Sequence, residues 1–180
     1  MRKRLKKCRN CSEIFNPVNS LQKYCFKKEC VQIWVNEQRE KEWKKKKVMV
    51  RQQMKTTRDH LKELQKIFNL WVRLRDEGKT CISCNTLLTK ELKYDAGHFF
   101  PRGSYPNLSF EPLNCHGQCV HCNRDKHGNL HEYREGLIRR YGLAELERLE
   151  RLKNGSNKLT KDEIIDLKLF YKDLIRKLQQ

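Results

Sequence analysis

Eight of the nine cysteines in this 180-residue chain fall into two sets of four, and nothing else in the sequence constrains the fold as strongly. Cys8 and Cys11 form a Cys-x-x-Cys pair, answered after thirteen intervening residues by Cys25 and Cys30. Cys81/Cys84 and Cys119/Cys122 are two further Cys-x-x-Cys pairs, separated by a polar insertion long enough to form a hairpin. Four thiolates at such intervals suit a tetrahedral structural Zn²⁺, because a tight turn presents two sulfurs on one side. Cys115 is left over and reads as a small apolar residue.

The first set spans about 30 residues with little apolar content besides Phe15, Pro17, Val18, Leu21 and Tyr24. A module that small needs a metal to fold. A redox dithiol or unrelated buried cysteines are the alternatives. The chain starts with a basic segment followed by cysteines, not by an apolar signal-peptide region. No apolar run approaches the roughly 20 residues that span a bilayer. A cytoplasmic, reducing location is therefore expected, where paired cysteines bind metal more often than they form disulfides.

Charge points to the partner. The chain has 40 Lys/Arg against 22 Asp/Glu, a formal +18. Two four-cysteine zinc centres, formally −2 each, would bring this to about +14. Such an excess favours nucleic acid over a membrane or a small ligand. A lysine-rich surface serving only solubility is the plainer explanation. Residues 1–56 hold 17 Lys/Arg and 5 Asp/Glu, so a basic arm precedes a more balanced domain. With 34% charged residues, the chain can bury one modest core beside a small module.

Three domains are expected: a four-cysteine zinc module over 1–32, a basic helical linker over 33–56, and a helix-flanked zinc-clasped domain over 57–180. The linker carries Lys44, Lys45, Lys46 and Lys47 and would either follow a phosphate backbone or serve as a solvated spacer. Leu61, Leu64, Ile67/Phe68, Trp71 and Leu74 recur at helical spacing over 57–77, a core stripe rather than a base-stacking platform. Later helices are expected over 130–141, from Leu143 onward, and after Thr160, where Thr160-Lys161-Asp162-Glu163 is a capping box.

The second cysteine set clasps Asp95-Ala96-Gly97-His98 and Asn114-x-His116-x-Gln118, and leads into Asn123, Lys126 and His127. Phosphodiester hydrolysis needs a base to activate water and a cation to absorb charge. His98 has the pKa range for the first role. Asn123, with His127 one helical turn later, Asp95 or His116, is a candidate ligand set for the second. Arg102, Arg124 and Lys126 are candidates for steadying flanking phosphates. A structural zinc alone would account for the cysteines but not for this polar set.

Tyr94-Asp95-Ala96-Gly97-His98, with Asn114-x-His116-x-Gln118-Cys119-x-x-Cys122-Asn123-x-x-Lys126-x-Gly128-Asn129-Leu130, resembles the phage NinG/Rap family and the His-Asn-His endonuclease motif in its His-Asn-Asn form. The resemblance implies an α+β, mainly helical chain with a ββα-metal module at its centre. It also implies a role in phage recombination, cutting branched DNA such as Holliday junctions and D-loops. It makes His98 the general base, Asn114 the residue that holds the hairpin and orients His98, and Asn123 a ligand to Mg²⁺ or Mn²⁺. Symmetric cutting of a junction would suit a homodimer. Asn in place of the motif's last His favours a hard cation. The rival expectation is a non-enzymatic zinc protein that binds branched DNA as a recombination accessory. An RNA-binding zinc protein is a third, but the aromatic residues follow no RNA-module pattern.

Overall fold

Periodic apolar stripes and well-capped ends account for most of the observed elements. The computed structural model describes residues 5–155 and 158–180, and the chain divides into two compact units, Met1–Lys55 and Thr56–Gln180. It is mainly helical with two small antiparallel sheets.

The first unit opens with a two-residue hairpin, β1 (Lys6–Lys7) on β2 (Ile14–Phe15), that pairs Lys6 with Phe15 and Lys7 with Ile14. Helix α1 (Lys28–Gln53) follows. It begins inside the expected module and takes in most of the expected linker. Its only buried residue is Cys30, so the basic run at Lys44–Lys47 lies in solvent. The small core is Cys8, Tyr24, Cys25 and Cys30, with Cys11 and Phe15 packed against it.

The second unit opens with α2 (Thr57–Asp76), whose capping box joins Thr56 and Asp59. Leu64, Phe68, Trp71 and Val72 are buried along it, so the aromatic stripe is core. It packs on α5 (Lys161–Leu178), capped as expected by Thr160 and Glu163, through Ile164, Tyr171 and Ile175. Phe170 and Leu178, which fall at helical spacing with those residues, are exposed. The central sheet is β3 (Tyr94–His98) against β4 (Cys115–Cys119), in a register that pairs Asp95 with Gln118 and His98 with Cys115. Helices α3 (Leu130–Tyr141) and α4 (Leu143–Leu152) form a second core with Ile82, Leu108 and Leu113. A Cβ at Gly136 would overlap the Ile82 carbonyl, so only glycine lets α3 approach that backbone. Among the described residues no helix is long and apolar enough to cross a membrane.

Candidate functional site

Each cysteine set closes into a cluster whose four sulfurs lie within 4.8 Å of one another. Cys11 Sγ and Cys25 Sγ are 3.6 Å apart, as are Cys84 Sγ and Cys119 Sγ. A ZnS₄ tetrahedron with bonds of about 2.3 Å has edges of about 3.8 Å. Donors are already aimed at the sulfurs. Cys25 N donates to Cys8 Sγ (3.3 Å), Cys119 N to Cys81 Sγ (3.4 Å) and Cys122 N to Cys119 Sγ (3.4 Å). Asn10 and Asn129 point side-chain amides at Cys30 and Cys122. Burial alone would raise the Cys8 thiol, but N–H groups of Cys25, Asn10 and Cys11 outweigh it and bring the pKa down to about 6. For Cys84 too, burial is outweighed, here by bonds to Thr86, and the pKa is lowered to about 6. Their neighbours shift the other way, with Cys11 and Cys25 raised in the first set and Cys119 and Cys122 in the second, so it is the spacing of the sulfurs that fits both clusters to a structural zinc. Cys115, fully buried, belongs to neither.

The second cluster pins the ends of the insertion together, with Cys119 ending β4 and Cys122 in the π-helical turn His121–Asp125. Strand alternation then sorts the candidates onto two faces. Ala96, His98 and Cys115 face α2, where Cys115 and Ala96 join the Phe68 core. Asp95, Gly97, His116 and Gln118 face α3 and the π-helical turn. Asp95 and His98 are three residues apart on one strand, an odd offset that separates them.

On the α3 face an oxygen-rich spot surrounds Gly97. Asn123 Nδ2 donates to Asp95 Oδ2 at 3.0 Å. Gln118, directly across from Asp95, donates from Nε2 to Ser83 Oγ (2.8 Å) and Gly128 O (2.6 Å). These two bonds fix which end of its amide is oxygen. Gln118 Oε1 is buried and has no hydrogen-bond partner. A Cβ on Gly97 would collide with Gln118 Oε1 and come within 3.2 Å of Asn123 Oδ1, so glycine leaves the space open. Two amide oxygens thus border one point, with the Asp95 carboxylate bonded to Asn123 beside it, a set of oxygens suited to a hard divalent cation that keeps part of its water. An orphaned buried oxygen is what such a site would show before a cation satisfied it. Arg124 also reaches Asp95, with Nε to Oδ2 at 2.7 Å and Nη2 to Oδ1 at 2.9 Å, and holds its carboxyl below the usual range.

Two expected ligands drop out. His116 is fully buried, and both of its ring nitrogens are engaged. Tyr133 Oη donates to Gly97 O at 2.9 Å, so it accepts from His116 Nδ1 (3.1 Å). Nε2 is then the acceptor for Tyr141 Oη at 3.0 Å. Burial lowers the pKa to about 3, leaving a neutral, fully satisfied imidazole. His127 does not share a helix face with Asn123. The π-helical turn ends at Asp125, and His127 sits at φ 47°, exposed, before α3 begins.

On the other face, His98 Nε2 donates to Ser109 O at 3.0 Å, and Nδ1 lies 3.6 Å from Cys115 Sγ. Burial lowers the pKa of His98, so the ring is neutral near pH 7. Asn114, fully buried, makes no bond to the imidazole. Its Oδ1 accepts from Phe100 N (2.8 Å), and its Nδ2 donates to Phe100 O (3.1 Å) and Leu108 O (3.0 Å). It pins the loop that follows β3, immediately after His98.

A family model described as "Bacteriophage Lambda NinG protein" matches residues 1–180. The chain belongs to the NinG family. Protein ninG of Escherichia phage 933W is 32% identical over 191 residues, covering 97% of this chain and 94% of that protein. The ninG proteins of Salmonella phage P22 and Escherichia phage lambda are each 36% identical over 119 residues, covering 66% of this chain and 57% of theirs. No solved structure matches.

Within this NinG chain, sequence reasoning missed Gln118 as an oxygen donor and Asp76 as a buried anchor. Asp76 takes Arg75 on both oxygens, Lys79, and the Gly117 N–H at 2.8 Å. Position 118 did carry a signal, since a glutamine inside a core-facing strand needs a partner. Of the phosphate candidates, Arg124 is occupied by Asp95, Lys44 pairs with Glu40, Lys126 is exposed, and Arg102 Nη1 donates to Gln65 Oε1 at 2.7 Å.

Proposed function

We infer that this NinG-family protein is a metal-dependent endonuclease acting on branched DNA in phage recombination. The observation that carries this reading is the partnerless, buried Gln118 Oε1 beside Asp95 and Asn123, on a hairpin clasped by a four-cysteine cluster. Asp95, Gln118 and Asn123 would hold Mg²⁺ or Mn²⁺, which supplies charge stabilisation to the scissile phosphate and the departing 3′ oxygen. His98 is the base: its Nε2 proton is held by Ser109, so Nδ1 carries the lone pair that takes a proton from water. Because His98 lies on the opposite face from the oxygen site, the ring must turn away from Ser109 and Cys115 to act there. Asn114 is a positioning residue through the loop backbone.

The accessory-factor reading is favoured by the same seat of His98, and by the Arg124 clamp on Asp95. A DNA-binding protein with two zincs needs neither group free. A four-way junction incubated with Mg²⁺ or Mn²⁺ separates the two. The endonuclease reading expects cleavage that EDTA abolishes, with large losses in His98→Ala and Asp95→Asn proteins shown to be folded and zinc-loaded. Tight junction binding with no cleavage under either cation would establish the accessory reading instead.

A further inference from the structure

A groove of about 1040 Å³ runs between the N-terminal half of α2 and residues 102–110. Arg58, Lys62, Lys66, Arg102 and Lys158 line it, and no carboxylate does. Among the described residues none of these five cations forms an ion pair. The acids of this part of α2 are turned to other tasks, since Asp59 closes the capping box and Glu63 takes Lys168 at 2.7 Å.

Arg58, Lys62 and Lys66 recur every fourth residue, so they form one row about 12 Å long. Like charges at that spacing destabilise a helix by a few tenths of a kcal/mol per pair. Cations near a helix N-terminus also oppose its dipole. A row that weakens its own helix, and whose charges close no ion pair although Lys62 lies near the Asp59 carboxylate, is matched to an external polyanion. Across the groove, Gln65 holds the Arg102 guanidinium in place. Ser109, whose carbonyl accepts the His98 ring proton, forms part of the same wall.

We propose that this groove seats the phosphodiester backbone of DNA, with Arg58, Lys62, Lys66 and Arg102 as its phosphate contacts. The proposal rests on the nucleic-acid part of the function above, but not on cleavage. It places the duplex along α2 rather than at Arg124, which Asp95 holds.

The test is fluorescence-anisotropy binding of duplex and four-way-junction DNA over a salt series, using full-length zinc-loaded protein. An Arg58→Gln/Lys62→Gln/Lys66→Gln variant is compared with an Arg151→Gln/Lys161→Gln/Lys172→Gln control of equal charge. Circular dichroism and zinc content check that both variants fold. The groove variant should lose about tenfold or more in affinity at moderate salt, and its log–log salt slope should fall by about 2 to 3. The control should show the smaller loss expected of net charge alone. Equal losses in the two variants would overturn the groove and leave DNA binding standing. Wild-type protein that binds neither DNA would overturn both.

Discussion

Replacing Asn114 with aspartate changes one nitrogen to oxygen in a site with no access to solvent. The Oδ1 bond from Phe100 N survives, but the second oxygen now faces the carbonyls of Phe100 and Leu108, which formerly accepted from Nδ2. An ionised carboxylate there meets two acceptors in a dry pocket, so the side chain takes up a proton on folding. At pH 7, protonating a group whose unfolded pKa is about 3.9 costs about 4 kcal/mol. The folded pKa is raised, so the stabilising protonated form dominates at low pH and stability is lost as pH rises. Relative to wild type, the variant should lose about 1.4 kcal/mol per pH unit, or about 2.7 kcal/mol between pH 6 and 8. Asn114→Ala should cost about 3 kcal/mol from three lost hydrogen bonds, with no pH dependence of its own. Urea unfolding of the zinc-loaded proteins at pH 6, 7 and 8 reads all three. Parallel pH profiles for wild type and Asn114→Asp would refute the claim that Nδ2 donates to both carbonyls.

Asp76→Asn should destabilise by about 3 kcal/mol, because it breaks a buried pair and leaves Arg75 without its anion. Burial would raise the Asp76 carboxyl, but the Arg75 guanidinium and the Gly117 N–H overcome it and hold the pKa at about 2, so its contribution is present above about pH 4. The wild-type-to-variant difference in urea midpoint should therefore stay flat from pH 8 to pH 5. Metal analysis should find two zinc ions per chain. Stripping them with a strong chelator should erase much of the helical signal and the cooperative transition, since structural zinc contributes on the order of 10 kcal/mol. Gly136→Ala, whose new methyl overlaps the Ile82 carbonyl, should lower stability by roughly 3 kcal/mol in thermal melts; a neutral result would mean that α3 can slide.

What could be read from the sequence was local. The cysteine clusters depend on two or four intervening residues within each pair, and α2 and α5 carry apolar stripes with capping boxes at Thr56 and Thr160. What could not be read depended on distant partners. His116 looked like a ligand because nothing near it in sequence announces Tyr133 and Tyr141, 17 and 25 residues away. His127 looked like a helical neighbour of Asn123 because an i, i+4 spacing cannot reveal a π-helical turn followed by left-handed backbone at His127 and Asn129. The buried tail of α5 shifted for a similar reason. Ile175, not Leu178, meets α2, so packing rather than periodicity decides where a stripe ends.

The separation of His98 from Asp95 was implicit in their odd spacing once residues 94–98 form a strand, and it sets a cost on the proposed chemistry. Turning the imidazole out breaks the Ser109 bond, worth about 1 kcal/mol, and exposes part of a half-buried ring, worth about 1 to 2 more. A total of about 2 to 3 kcal/mol leaves the outward ring at a few per cent or less of the population. That cost can be offset by whatever disturbs the Ser109 carbonyl, and Ser109 lines the basic groove. DNA seated there would press on the same loop that holds the ring proton. Under this reading junction binding and release of His98 are coupled, and removing the groove cations should lower the cleavage rate even at DNA concentrations that saturate binding.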